Sequence, residues 1–303
     1  MIQFTGASRW YGQVIGLNDV TCSIGPGITA LLGQNGAGKS TMLRLISGQL
    51  RPTTGEVEVF GMEPFANAEV YRKLGYCPEI DNFYEWMNGY QFVEHMARMS
   101  GLGASHARSR SREIIEFVGM ADRAKRKIAG YSKGMRQRIK LAQALIHDPQ
   151  AILLDEPLNG LDPVGRHEFM GLLSRFADQG RTILVSSHIL FEVEQMTRNI
   201  VILHRGRLLA SGSIRDIREL IDRYPHRIQV NTPQGREVAS LVTRFPSVLQ
   251  VTLNREGVEV QTRQPGEFYS ALPGLVLEQG LQIEGFTSPD NNLESVYQYL
   301  VNS

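Results

Sequence analysis

The stretch Gly33-Gln-Asn-Gly-Ala-Gly-Lys39-Ser40-Thr41 constrains this chain more than any other. It fits G-x-x-x-x-G-K-[ST] in full. Its flanks fit as well: Ile28–Leu32 reads as a buried strand and Thr41–Ser47 as successive turns of helix. Strand, glycine loop and helix together are what a phosphate cradle requires. The glycines let the backbone curl so that successive N–H groups converge, and the helix N-terminus adds the positive end of its dipole. Lys39 is then placed to reach the β- and γ-phosphates, and the Ser40 hydroxyl to hold Mg²⁺. Gly33, Asn35, Gly36, Ala37, Gly38, Lys39, Ser40 and Thr41 are the expected phosphate contacts.

Two further stretches carry chemistry that suits such a loop. Ala151-Ile-Leu-Leu-Asp155-Glu156 is an apolar strand ending in two carboxylates. Apolar runs of this kind suit a parallel sheet covered on both faces, and ligands bind at the C-terminal edge of such sheets. Asp155 is placed to hold Mg²⁺, while Glu156 is free to act as general base on an attacking water. Thr182–Ser186 is a second buried strand and delivers His188 at its end. That imidazole can donate to a γ-phosphate, orient the water or serve structurally. Tyr11, in the loop Arg9–Gly12, can stack on an adenine ring or pack within its loop.

Composition narrows the class. The 303 residues suffice for one large domain and a small one. With 32 basic and 31 acidic residues the net charge is +1, which offers no general attraction to nucleic acid. Cys22 and Cys77 form no metal-ligand spacing and suggest a reducing compartment. Met1–Thr5 lacks the features of a signal peptide, and no apolar run approaches the ~20 residues of a membrane span. A cytoplasmic protein is expected, reaching a membrane only through a partner.

Between and beyond these motifs the pattern is mixed. Short strands are expected over Phe4–Ala7, Val20–Ile24 and Val57–Phe60, and another begins at Leu74 and runs out at Pro78. Phe83, Tyr84 and Trp86 then cluster, as a docking surface or as the lid of a small core. Residues 88–127 read as helical, with Phe92, Val93, Met96 and Met99 on one face. The surrounding arginines and lysines, Arg108 to Lys127, read as a solvated face interspersed with Glu113, Glu116 and Asp122. Tyr131-Ser132-Lys133-Gly134-Met135 opens a helix to about His147, with Ser132 as its N-cap. Asn159–Pro163 is a turn, and a helix carrying Phe169, Leu172, Leu173 and Phe176 runs on to Gly180. Ile200–His204 and Arg207–Ser211 read as a hairpin closed through Arg205-Gly206. After Tyr224-Pro225 the order becomes strand, helix, strand, strand, helix, strand, the split-βαβ or ferredoxin-like arrangement, with a last helix from Leu293 to about Val301.

Taken together, residues 1–220 resemble the nucleotide-binding subunit of an ABC transporter. Tyr11 matches the adenine-stacking aromatic, Gly33–Thr41 Walker A, and Glu79 the Q-loop. Tyr131–Met135 matches the signature, Ala151–Glu156 Walker B, Leu161-Asp162 the D-loop and His188 the switch histidine. The resemblance implies an α/β fold: a P-loop NTPase domain of ABC type over 1–221, with a helical subdomain at about 88–148. A small α+β ferredoxin-like domain is expected over 222–303. The resemblance also implies ATP and Mg²⁺ as cofactors, with Ser40, Glu79 and Asp155 towards the metal. It implies pairing with a second ATP-binding subunit, a homodimer, in which Ser132, Gly134 and Asp162 face the partner's ATP. An integral membrane permease subunit, contacted near Glu79, Phe83, Tyr84 and Trp86, would hold the chain at the cytoplasmic face of the membrane.

Two residues depart from the family pattern. Glu79 stands where Gln is usual, keeping an oxygen but losing the amide donor. Lys133 stands in the signature where Gly is usual and brings a positive charge. The Pro-Glu Q-loop, this signature and the tail resemble exporter-type ATPases. The competing class is a soluble ABC ATPase of translation or DNA maintenance, which generally carries two cassettes or long coiled-coil or zinc insertions. A switch that binds without turnover is the third, and Glu156 and His188 speak against it.

Overall fold

A computed structural model describes residues 1–219, 221, 224–290 and 292–302. The chain divides into two compact units, Met1–Gly212 and Ser213–Ser303. The boundary expected at 221/222 adjoins residues 222 and 223, which lie outside the described residues.

The first unit opens with β1 (Ile2–Tyr11), β2 (Val14–Ile24) and β3 (Gly27–Leu32). It continues through α1 (Lys39–Ile46), β4 (Thr54–Val59), the single turn α2 (Ala68–Tyr71) and β5 (Leu74–Cys77). The helical stretch expected over 88–127 is interrupted. α3 (Gly89–Met99) and α4 (Ala104–Phe117) are separated around Gly101, whose φ of 94° no right-handed helix accommodates. Turns and a 3₁₀ segment at Ile128–Gly130 lead to α5 (Lys133–Leu145). Next come β6 (Ala151–Leu154), α6 (Pro163–Ala177), β7 (Thr182–Ser187), α7 (Leu190–Met196), β8 (Asn199–His204) and β9 (Arg207–Ser213). Strands β1 and β2 are longer than their sequence signal, so Tyr11 ends a strand instead of sitting in a loop. Met99 closes α3 at 69% exposed and leaves the apolar face that Phe92 and Val93 bury.

Six strands form one sheet in the order β5-β6-β7-β3-β8-β9. The pairs from β5 through β8 are parallel. Every residue of β6 and β7 is buried, because both faces of the sheet are covered. Alternate side chains go to opposite faces: Ile152, Leu154, Ile183 and Val185 join one core cluster, while Ala151, Leu153, Leu184 and Leu31 join the other. A three-stranded antiparallel sheet, β2-β1-β4, closes the second cluster through Ile2, Phe4, Val20 and Val57. Register is what matters for function. Leu154 lies opposite Val185, and Leu32 lies opposite Ser187. The C-terminal ends of β6, β7 and β3 therefore come level, and the segments leaving these strands are gathered at one edge.

The second unit contains α8 (Ile214–Glu219), β10 (His226–Asn231), α9 (Gly235–Val242), β11 (Val248–Asn254), β12 (Gly257–Thr262), α10 (Pro265–Gln279), β13 (Gly285–Thr287) and α11 (Leu293–Asn302). Its antiparallel sheet has the order β11-β12-β10-β13, the order that a split βαβ arrangement generates. The last strand is shorter than Leu281–Thr287, since pairing with β10 begins only at Gly285. Ile228, Val230, Val258 and Val260 from the sheet pack with Val238, Phe268 and Leu272 from the helices. Within this unit Arg218 and Asp290 form a buried ion pair at 2.6 Å.

Candidate functional site

The loop after β3 closes on itself around Lys39. The ammonium donates to the Gly33 carbonyl at 2.7 Å and lies 3.4 Å from Glu156 Oε1. At 7% exposed, Lys39 is among the few buried lysines, and it starts α1. Gly38, the N-cap of that helix, has φ 110°, and a Cβ there would stand 2.6 Å from the Gly16 carbonyl oxygen and 2.8 Å from Leu17 Cδ2. Only glycine fits that combination of left-handed backbone and close approach. The loop and the start of α1 border a cavity of about 420 Å³, where a helix N-terminus favours an anion.

The same cavity receives residues from beyond the ends of β5, β6 and β7. Gln34–Thr41, Tyr11, Glu79, Asp155, Glu156, Asn159 and His188 all line it. His188 Nδ1 and Glu156 Oε2 are 2.9 Å apart. Glu156 has φ 48°, a left-handed conformation that costs a non-glycine residue roughly 1–2 kcal/mol. Such strain persists only where the surroundings over-determine it. Here the Glu156 N–H donates to Ser186 Oγ at 2.8 Å, and that hydroxyl donates to Asp155 Oδ1 at 2.7 Å. The Asp155 N–H donates to the Cys77 carbonyl across the sheet at 2.9 Å. Burial, and after it the charge of Asp155, pushes the Tyr76 phenol up to about 12. Burial likewise pushes the Cys77 thiol up to about 12, so this thiol is inert.

Tyr11 is 39% exposed at the rim, its hydroxyl 3.3 Å from Thr41 Oγ1 and its ring under the Arg9 guanidinium. The exposed Ser40 hydroxyl, Glu79 and the Asp155 carboxylate offer oxygen donors only, and all border one cavity. Oxygen-only donors in small number suit Mg²⁺, which keeps waters and takes substrate phosphates as its remaining ligands. Among the described residues no group of three or more His, Cys, Asp or Glu could hold a metal by itself.

Ser132, Gly134 and Asp162 are not brought to this cavity. They line a separate one of about 1070 Å³, together with Met120, Arg138 and Glu168. Ser132 caps α5 by accepting from the Met135 N–H at 3.3 Å, and Asp162 caps α6 by accepting from the Gly165 N–H at 2.9 Å. Tyr131, where the signature usually has Leu, is buried, its hydroxyl accepting from Gly89 N–H and donating to the Ala124 carbonyl. Lys133 is exposed and lies across Gly160 of its own chain, where a Cβ would meet its Nζ at 2.5 Å.

The segment after β5 is tied to α5 by charged side chains. Lys140, 2% exposed, donates to the carbonyls of Pro78 at 3.0 Å and Glu79 at 2.9 Å and pairs with Asp81 at 2.9 Å. One turn earlier, Arg136 grips Glu85 with two hydrogen bonds, at 2.7 and 2.9 Å. Those bonds hold the Glu85 carboxyl below its ordinary value and the guanidinium above its own. The aromatics divide: Phe83 packs edge-on against Phe92 at 5.1 Å, whereas Tyr84 and Trp86 are exposed. Phe83 is thus a core lid, and the outward surface is Tyr84, Trp86 and Ile80.

Sequence reasoning missed Arg136, Lys140, Ser186 and Asn159. A lysine beside the apolar stripe of α5, four residues after an arginine, was the available signal for the first two. A serine closing an otherwise apolar strand was the signal for the third.

Comparison with known proteins agrees with this geometry. The family model for ABC transporter matches residues 17–159. An uncharacterized ABC transporter ATP-binding protein of Nostoc sp. is 40% identical over 69% of this chain and 63% of its own, so the chain spans under two thirds of that relative's length. A daunorubicin resistance ATP-binding protein of Streptomyces coeruleorubidus is 30% identical over 99% of this chain and 95% of its own. The solved ATP binding subunit of an ABC transporter superposes with a TM-score of 0.65 at 30% identity, covering 72% of this chain and 92% of that one.

Proposed function

The chain belongs to the ABC transporter family of ATP-binding proteins, and on that premise we propose that it binds and hydrolyses ATP to drive export through a separate membrane subunit. The observation that carries the reading is the convergence of Lys39, Asp155, Glu156 and His188 on one cavity at the edge of β6, β7 and β3. Full-length similarity to a protein named for daunorubicin resistance supports the outward direction. Among the described residues no helix is long and apolar enough to cross a membrane.

In this reading Gly33, Asn35, Gly36, Ala37, Gly38 and Thr41 cradle the phosphates, Lys39 pairs with them, and Tyr11 stacks on the adenine. Mg²⁺ would be held by Ser40 and Asp155, with Glu79 beside it, and would neutralise charge building on the phosphates. Glu156 takes the proton of the attacking water, and His188, already on its Oε2, keeps its carboxylate aimed. The separate cavity of Ser132, Gly134 and Asp162 supports a composite site, in which a second copy supplies these residues to each ATP. The exposed Tyr84 and Trp86, continuing from Glu79 past the partly buried Phe83, are the proposed contact with the membrane subunit, at its cytoplasmic face.

The test is hydrolysis by Glu156→Gln. Turnover should fall by roughly 10²–10⁴-fold with ATP still bound. Near-normal turnover would show that another group activates the water.

A further inference from the structure

We infer that Ser186 is a positioning residue of this site, whose hydroxyl sets the orientation of the Glu156 carboxylate. The inference rests on Glu156 being the general base, and it deepens that reading. Ser186 is fully buried and does not line the cavity, so it acts only through its neighbours.

A serine hydroxyl has one proton to give and lone pairs to receive. At Ser186 both are committed, and the direction is fixed. The Glu156 N–H can only donate, at 2.8 Å, so the hydroxyl proton goes to Asp155 Oδ1, at 2.7 Å. One oxygen therefore bridges the two adjacent carboxylate residues. The bridge exists because β6 and β7 run parallel with Leu154 opposite Val185, which brings Ser186 level with Asp155. On its other side the Asp155 main chain is held by the Cys77 carbonyl. The Glu156 N–H goes instead to Ser186, the Glu156 carbonyl accepts from the Asn159 N–H at 3.3 Å, and these two bonds flank its left-handed φ of 48°.

Removing the hydroxyl leaves a buried N–H and a buried carboxylate oxygen without this partner. A turn of the 155–156 peptide lets the Glu156 N–H seek another acceptor, and it swings the Glu156 carboxylate away from Lys39 and His188. Displacement of a reacting group by about 1 Å is enough to cost ~10²-fold in rate. Nucleotide binding, which depends on the glycine loop and Lys39, is left in place.

The experiment measures steady-state ATP hydrolysis of the full chain in wild type, Ser186→Ala, Ser186→Cys, Glu156→Gln and the Ser186→Ala/Glu156→Gln double variant. A fluorescent trinitrophenyl-ATP titration of each, with Mg²⁺ and with EDTA, reads binding apart from turnover. Ser186→Ala should lower kcat by roughly 10–100-fold, as loss of an orienting partner does elsewhere. KM and the affinity for the fluorescent nucleotide should stay within about threefold of wild type. Ser186→Cys, close in size but a weak hydrogen-bonder, should fall likewise, and it decides the matter if the alanine variant does not fold. In the Glu156→Gln background the alanine change should add less than about twofold, because its effect passes through the missing base. Wild-type turnover by the serine variants overturns the inference, as does a full and independent loss in the double variant. Wild-type turnover by Glu156→Gln alone overturns the general-base reading itself, and the inference with it.

Discussion

The phosphate loop and the segment Pro78–Met87 border the same cavity, yet they are held by opposite means. The loop is held by main chain. Its ammonium rests on the Gly33 carbonyl, its glycines take backbone angles other residues avoid, and a helix begins at its last turn. The segment is held by side chains from α5, with Lys140 on two carbonyls and Asp81, and Arg136 on Glu85. A main-chain cradle is built before its ligand arrives and changes little on binding. A charged latch moves with the helix that carries it, and α5 is the helix whose N-cap is Ser132. Motion of the proposed signature would thus be passed to Tyr84 and Trp86 through Arg136 and Lys140.

The two kinds of support predict opposite responses to substitution. Gly38→Ala should weaken ATP binding by roughly 10–100-fold, from strain of about 1–3 kcal/mol and a main-chain clash. Lys140→Met should leave ATP binding near wild type. It leaves the Asp81 carboxylate and two carbonyls without their donor, so the melting point should drop by several degrees, at roughly 2–4 °C per kcal/mol for a chain of this size. Trinitrophenyl-ATP titration and a calorimetric melt check both. Loss of nucleotide binding in Lys140→Met would mean that the segment, like the loop, is part of the cradle.

The loop was fully legible in the sequence, and the latch was not, for a reason these two regions make plain. Main-chain geometry is dictated by local residue type, so Gly38 and Lys39 announce themselves by spacing. A latch depends on which distant side chains meet, and Arg136 and Glu85 meet only because α5 runs beside the segment after β5. The strands β6 and β7 were equally legible, as apolar runs ending in polar residues. Ser186 was not, since nothing local says that parallel register will set it beside Asp155. The aromatic cluster shows the same limit: composition could not separate Phe83, turned inward onto Phe92, from Trp86, 67% exposed.

A smaller effect sharpens the latch itself. Arg136 holds the Glu85 carboxyl below its ordinary value. A depressed carboxylate contributes stability that is present above its unfolded pKa, about 4.3, and is lost as pH falls through the folded value. The difference in melting point between wild type and Glu85→Gln should therefore hold at pH 7 and close only below the ordinary carboxylate range. The Glu85 carboxylate is exposed, so the difference should be small and shrink with added salt. A gap that widens on acidification would mean that Glu85 acts through something other than Arg136.

In the proposed function each ATP is hydrolysed between two copies, the phosphate loop of one and Ser132 of the other. Mixing Lys39→Ala chains with Ser132→Arg chains, each inactive alone, tests it most directly. A heterodimer of the two contains one site with both residues intact, so ATPase activity should reappear on mixing and rise with protein concentration. A mixture as inactive as its components, while both variants fold and form dimers with wild type, would contradict the shared site.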